Sequence, residues 1–338
     1  MDLNVRATAI GFLAALAALA VLLWVIGIDT IVRTMGMADP AILALLPFVG
    51  AAWLVSWGLS LRVVLGVIGT PISVTKSVLI YSAATFANNV TPFGQAGGEP
   101  ITAYLIADAT DNQYESGLAA IASVDALNFF PSLSLAGVAL AYFGATATLG
   151  RQLRVAGVAI AVLALVVPLA GYALWRFRLH VEGGLARVLT PIARGLARPI
   201  PGRSAPDEAA VRVRIEGFFN AVGRVAEDRR RLVLALGFAT IGWLALSTSL
   251  WLSLYSLGFR VPFAAALLVI PIGSLASITP FPGGLGGIEG VLIALLVPTT
   301  GVDLAAASAA VLIHRTVTYW LPTLFGGGVA AMYGFDAL

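Results

Sequence analysis

Four charged residues stand in a chain that carries few: Glu99, Asp125, Glu289 and Arg315. Asp125 and Arg315 fall inside long apolar runs, where a charge costs about 2.5–3.5 kcal/mol on insertion scales unless something pairs with it or hydrates it. Each follows a glutamate at the same interval, 26 residues (125 minus 99, 315 minus 289). Two chemistries suit such residues: a buried ion pair that fixes packing, or a site that binds a charged group or passes a proton. The expectation is that Asp125 and Arg315 meet inside the protein, with Asn128, Thr316 and Thr318 adding hydrogen-bonding capacity. His314, next to Arg315, is a titrating candidate; the plainer reading is a hydrogen-bonded histidine.

Enzyme chemistry finds little support. The chain has no cysteine and only His180 and His314, which excludes disulfides and thiolate metal sites and disfavours a histidine metal site or a Ser/His/Asp arrangement. Asp108 and Asp111 have the spacing of paired acids in metal-dependent lipid phosphotransferases, but the further acids and glycines do not follow, so they read as loop-capping residues. Gly284-Leu285-Gly286 lacks the strand and full fingerprint of a dinucleotide loop. No enzyme activity, cofactor or metal is expected. The net charge of +3 and pI near 9.4 do not imply nucleic acid, because the basic residues concentrate in one segment between apolar runs.

The elements that would hold these residues are membrane helices. Hydrophobic residues make up 59% of the 338 and charged residues only 11%, against roughly a quarter in an ordinary soluble domain. Long apolar windows lie at Ala9–Ile28, Ala41–Leu61, Gly117–Thr146, Val155–Trp175, Leu232–Leu257 and Val302–Tyr333, each able to span a bilayer. The first reads as a retained helix and not a signal peptide, since it is long and preceded only by Arg6. Ser73–Asn88 and Phe263–Ile278 are shorter and run into glycine and proline, as broken or re-entrant segments do.

Between Arg176 and Arg231 lie 12 of the 20 basic residues, so this linker is expected in the cytoplasm and Asp29–Asp39 outside. Its six acids and the stretch Pro199–Asp207 make it a solvated connection with a short surface helix; a headgroup or partner contact is the alternative. The parity of crossings closes if Ser73–Ala107 enters and leaves on one face. Arg151 and Arg154 are discordant with that scheme.

The two irregular segments resemble one another. Thr91-Pro92-Phe93-Gly94-Gln95-Ala96-Gly97-Gly98-Glu99 and Thr279-Pro280-Phe281-Pro282-Gly283-Gly284-Leu285-Gly286-Gly287-Ile288-Glu289 share Thr-Pro-Phe, glycines and a closing glutamate. The helix that follows each reaches aromatics and a proline, Phe129-Phe130-Pro131 and Tyr319-Trp320-Leu321-Pro322. The expected fold is an all-α polytopic membrane helix bundle of two inverted-topology repeats, 1–150 and 151–338 with linker 176–231, each holding a broken re-entrant hairpin. Proline and glycine end a helix where the freed backbone groups need protein or water around them, which marks an interior. Helices restarting near Glu99 and Glu289 would present N–H groups to an anion such as a phosphate headgroup. The alternative is that each glutamate simply caps its helix.

Through the Pro92–Glu99 segment, the Pro280–Glu289 segment and the helix His314-Arg315-Thr316-Val317-Thr318-Tyr319-Trp320-Leu321-Pro322, nearly the whole chain resembles the lysylphosphatidylglycerol synthase transmembrane family of flippase-like proteins. In larger relatives the module precedes a soluble aminoacyl-transferring domain and is thought to move the modified lipid; others are fused to glycosyltransferases. Two departures stand out: no such soluble domain is expected after Tyr333, and Asp125 is followed by Ala126 where the family often has arginine. The resemblance implies a multi-pass cell-membrane protein that moves an anionic lipid or polyprenyl-phosphate-linked species, with membrane lipids and a separate glycosyltransferase or lipid-modifying enzyme as partners. Transport of a small solute or ion, or a non-transporting subunit that docks a glycosyltransferase, are the alternatives.

Overall fold

A computed structural model of the chain describes residues 27–92, 94–146, 208–279 and 281–332, with isolated positions between 13 and 24 and between 158 and 176. The expected spans Ala9–Ile28 and Val155–Trp175 lie largely outside the described residues, and His180 wholly so. All regular elements among the described residues are helical. In chain order they are α1 (Ile28–Gly36), α2 (Pro40–Ile68), α3 (Val74–Val90), α4 (Gln95–Thr110), α5 (Tyr114–Thr146), α6 (Glu208–Glu227), α7 (Arg229–Ser256), α8 (Phe263–Ser274), α9 (Gly287–Thr300), α10 (Leu304–Arg315) and α11 (Leu321–Met332).

Short polar residues set where these helices begin. Asp39 accepts from the Ala41 N–H at 2.8 Å just before Pro40, Asp228 from Arg231 at 3.0 Å and Asp303 from Ala306 at 2.8 Å, each satisfying an amide that has no partner within its helix. Ser73 does the same for α3. Between the caps the sequence is apolar enough that α2, α5, α7 and the stretch Pro282–Thr300 are each long enough to cross a membrane.

Two stretches carry features the apolar windows did not announce. Asp29–Asp39 holds a helix, α1, which packs on α10 and buries Ile31 and Thr34. The Val302–Tyr333 span is helical from Leu304 to Met332 but passes through one π turn at Thr316–Trp320. Within the basic linker, α6 is a 20-residue helix lying against α5, α2 and α7.

The centre of the bundle is the α2–α7 pair, its most extensive helix packing. Trp57 fits against Gly242, where any side chain would collide with the indole, and donates its N–H to the Ala239 carbonyl at 3.2 Å. Ser60 donates to Ala235, and at the end of the seam the Arg231 guanidinium donates to the Gly66 carbonyl at 2.6 Å. Around this seam α3 packs on α2, α4 and α11, while α8 packs on α7, α9 and α5.

Candidate functional site

The two glycine-proline segments are the breaks in the helical frame. After α3 the chain turns through Thr91 and Pro92 to Gly94, whose φ of 53° is open to glycine at little cost, and α4 begins at Gln95. Gly97 and Gly98 let the first turn of α4 press on Thr91–Pro92 and on Asn88. In the second segment α8 tightens into a 3₁₀ turn at Leu275–Ile278, and a short turn at Pro282–Gly284 leads to α9 at Gly287. Gly283, Gly284 and Gly286 all have positive φ. The breaks approach each other: a Cβ on Gly94 would sit 2.9 Å from the Ser277 carbonyl oxygen, and one on Gly283 would meet the Tyr319 ring and the Asn89 backbone.

The charges pair between the helix that follows each break and the next helix, in the first hairpin α4–α5 and the second hairpin α9–α10. Arg315 donates from Nε to Glu289 Oε1 at 2.6 Å, and from a terminal nitrogen to the Gly283 carbonyl at 3.2 Å; its guanidinium carbon lies 4.5 Å from the Tyr319 ring centroid. Both partners are buried, Glu289 at 1% exposure and Arg315 at 8%. The other Glu289 oxygen accepts the Gly286 N–H at 2.6 Å, so this glutamate caps α9 and holds the arginine at once. Glu99 makes no such cap, being deeper in α4, and its side chain contacts Asp125 instead.

Asp125 and Arg315 therefore share one cavity wall, but they do not pair with each other. The reason is the connection of the helices. Glu99 is eleven residues before the end of α4 and Asp125 eleven after the start of α5; Glu289 is eleven before the end of α9 and Arg315 eleven after the start of α10. Short turns make each pair of helices antiparallel, which brings residues equidistant from the turn to the same level. Gly301 at φ 72° and Asp111 at φ 50° close the preceding helices, so Asp111 has the capping role expected of it, and exposed Asp108 accepts the Asp111 N–H through its carbonyl.

An interior cavity of about 420 Å³ opens beside these residues. Asp125, Asn128, Gly94, Gly283, His314, Arg315 and Thr318 line it, whereas Glu289 stands behind Arg315. His314 is hydrogen-bonded to Ser249 Oγ at 3.0 Å, and Thr318 donates to the His314 carbonyl. Residues not singled out from sequence complete the wall: Trp53, Trp57, Trp243 and Tyr81 form an edge-to-face aromatic cluster, with Asn88, Asn89 and Gln95 at the first break. The Asn88-Asn89 pair, one residue before Thr91-Pro92, was the available signal; isolated tryptophans in apolar spans gave none. Tyr319 ties the breaks together, donating its hydroxyl to the Asn89 carbonyl at 3.1 Å, while Asn89 donates to Thr323 at 2.8 Å. Among the described residues no group of three or more His, Asp or Glu side chains could hold a metal ion.

A helical bundle with several apolar spans, two interrupted helices and charges buried around an interior cavity defines a polytopic integral membrane protein. Residues 9–326 match the family described as the lysylphosphatidylglycerol synthase TM region, and the chain belongs to that family. It is similar to a UPF0104 membrane protein of Methanothermobacter thermautotrophicus, 28% identical over 98% of this chain and 94% of the relative. UPF0104 membrane proteins of Pyrococcus horikoshii and Methanocaldococcus jannaschii are 27% and 24% identical, each covered over 91% of its length.

Proposed function

We propose that this protein moves an anionic amphiphile, a phospholipid or a polyprenyl-phosphate-linked species, across the cell membrane between two inverted-topology repeats. The observation that carries the reading is the cavity: largely apolar walls built around tryptophan, with Arg315 at the end of α10 in its lining, hydrogen-bonded to the second break at Gly283. Its volume falls within the ordinary range of small-ligand sites. Arg315 spends one donor on Glu289 and one on Gly283, and its remaining N–H groups suit a phosphate oxygen.

The matched packing supports two repeats. α3 packs on α11 as α8 packs on α5, and the α2–α3, α3–α4 and α4–α5 contacts are answered by α7–α8, α8–α9 and α9–α10. At about 1.5 Å per residue, α8 runs about 18 Å, short of a hydrocarbon core of about 30 Å, as a re-entrant helix would be, whereas the stretch Pro282–Thr300 after it is long enough to cross. The chain in this reading is a carrier and not an enzyme, with membrane lipids as its partners.

The test is movement of fluorescent phosphatidylglycerol and of a labelled polyprenyl phosphate between leaflets of liposomes holding the purified protein. Protein-dependent movement of an anionic lipid, reduced at least tenfold by Arg315→Gln in folded protein, is the expected result. Leaflet exchange no faster than in protein-free liposomes for every anionic lipid tried would end the proposal.

A further inference from the structure

The two hairpins place charges at matching positions but not with matching signs. In the second hairpin Glu289 is answered by Arg315, a cation fixed to the chain. In the first, Glu99 is answered by Asp125, a second carboxyl in direct side-chain contact with it. Two carboxylates that close together repel strongly away from bulk water, and the contact is tolerable when a positive charge lies between them or one carboxyl carries a proton. Asn128 lies three residues beyond Asp125 on α5 and lines the same cavity as that acid. It is 5% exposed, and both its amide oxygen and its amide nitrogen are buried without a hydrogen-bond partner. A buried amide carbonyl without a donor is an oxygen ligand of the kind a hard cation takes.

We propose that Glu99, Asp125 and Asn128 form a site for one exchangeable monovalent cation, a proton or a sodium ion, which does in the first hairpin what Arg315 does permanently in the second. Among the described residues, the other titratable and charged groups around it are the following. Tyr81 of α3 faces Asp125, Tyr114 at the start of α5 neighbours both Glu99 and Glu115, and His314 and Arg315 of α10 line the same cavity. On α6, which packs against α5, Arg212 and Glu216 pair with each other at the surface and Arg224 reaches the Ile68 carbonyl. Among these described groups none pairs with either carboxyl as a fixed cation, Arg315 being paired with Glu289. Cation binding stands apart from lipid movement; only its use to drive that movement rests on the function proposed above.

The site is tested on purified protein in detergent, without lipid transport, by ²²Na⁺ binding and by melting temperature across pH 5–9 with and without sodium. Saturable binding of one sodium per chain, reduced at least tenfold in Glu99→Gln and Asp125→Asn, assigns the cation as sodium. No sodium binding, but a pH-dependent melting temperature that flattens in those variants, assigns it as a proton. Asp125→Arg, which builds the pairing of the second hairpin, should remove the response in either case. Absence of sodium binding together with a pH profile unchanged by all three substitutions overturns the proposal. Should the variants fail to fold, the infrared carboxylic acid C=O band of the wild type decides. Its loss on adding sodium or raising pH supports the site, and a spectrum insensitive to both rejects it. Loss of lipid movement with cation binding intact would count only against the transport reading.

Discussion

At the scale of single residues, the Glu289–Arg315 pair separates packing from function. Removing one partner leaves the other charge buried and uncompensated, a cost of about 3–5 kcal/mol. Glu289→Gln and Arg315→Gln are each expected to lower stability by that order, read from denaturant or detergent unfolding. The double variant should regain most of it, because two neutral amides can hydrogen-bond in place of the ions. Lipid movement should not return with stability, since the guanidinium is gone; full recovery of movement would make the pair purely structural. The identity of all four charged residues was legible in the sequence, and so was their interval of 26. Their partners were not, because sequence symmetry suggests a meeting across the two repeats. The turns at residues 111–113 and 301–303 fold each interval back on its own midpoint.

At the scale of elements, the breaks should be far less tolerant than the helices around them. Gly283 combines φ 57° with a Cβ position already filled by the Tyr319 ring and the Asn89 backbone. Gly283→Ala is expected to cost about 1–3 kcal/mol through backbone strain alone, with the collision added. Gly290, inside α9 with no atom within 4 Å of the place a methyl group would take, is the control, and Gly290→Ala should be neutral or stabilising by about 0.5–1 kcal/mol. Equal melting temperatures for the two variants would contradict this account. The glycine and proline spacing announced both breaks, since these residues act on the local backbone. The π turn at Thr316–Trp320 carries no such mark: it sets Val317 against Gly50 of α2, and that depends on residues far apart in sequence.

At the scale of the molecule, the arginine-rich linker predicts an orientation that can be checked directly, because the chain has no native cysteine. With Glu216→Cys on α6 and Met37→Cys, exposed just after α1, an impermeant thiol reagent applied to intact cells should label only Met37→Cys. Labelling of Glu216→Cys alone would invert the topology. Apolar length made α2, α5 and α7 readable as spans, whereas the depth at which α6 docks against them depends on side-chain fit. The α2–α7 seam has a mechanical meaning. An indole locked over Gly242, with further hydrogen bonds at Ser60 and Arg231, makes the two longest-paired helices a stiff strut through the centre. If the chain moves lipid as proposed, a cross-link between α2 and α7 should therefore leave that movement running, while one between α3 and α11 or between α5 and α8 should jam it, because any opening of the cavity that spares the strut has to come from the helices packed around it swinging like doors on a shared post.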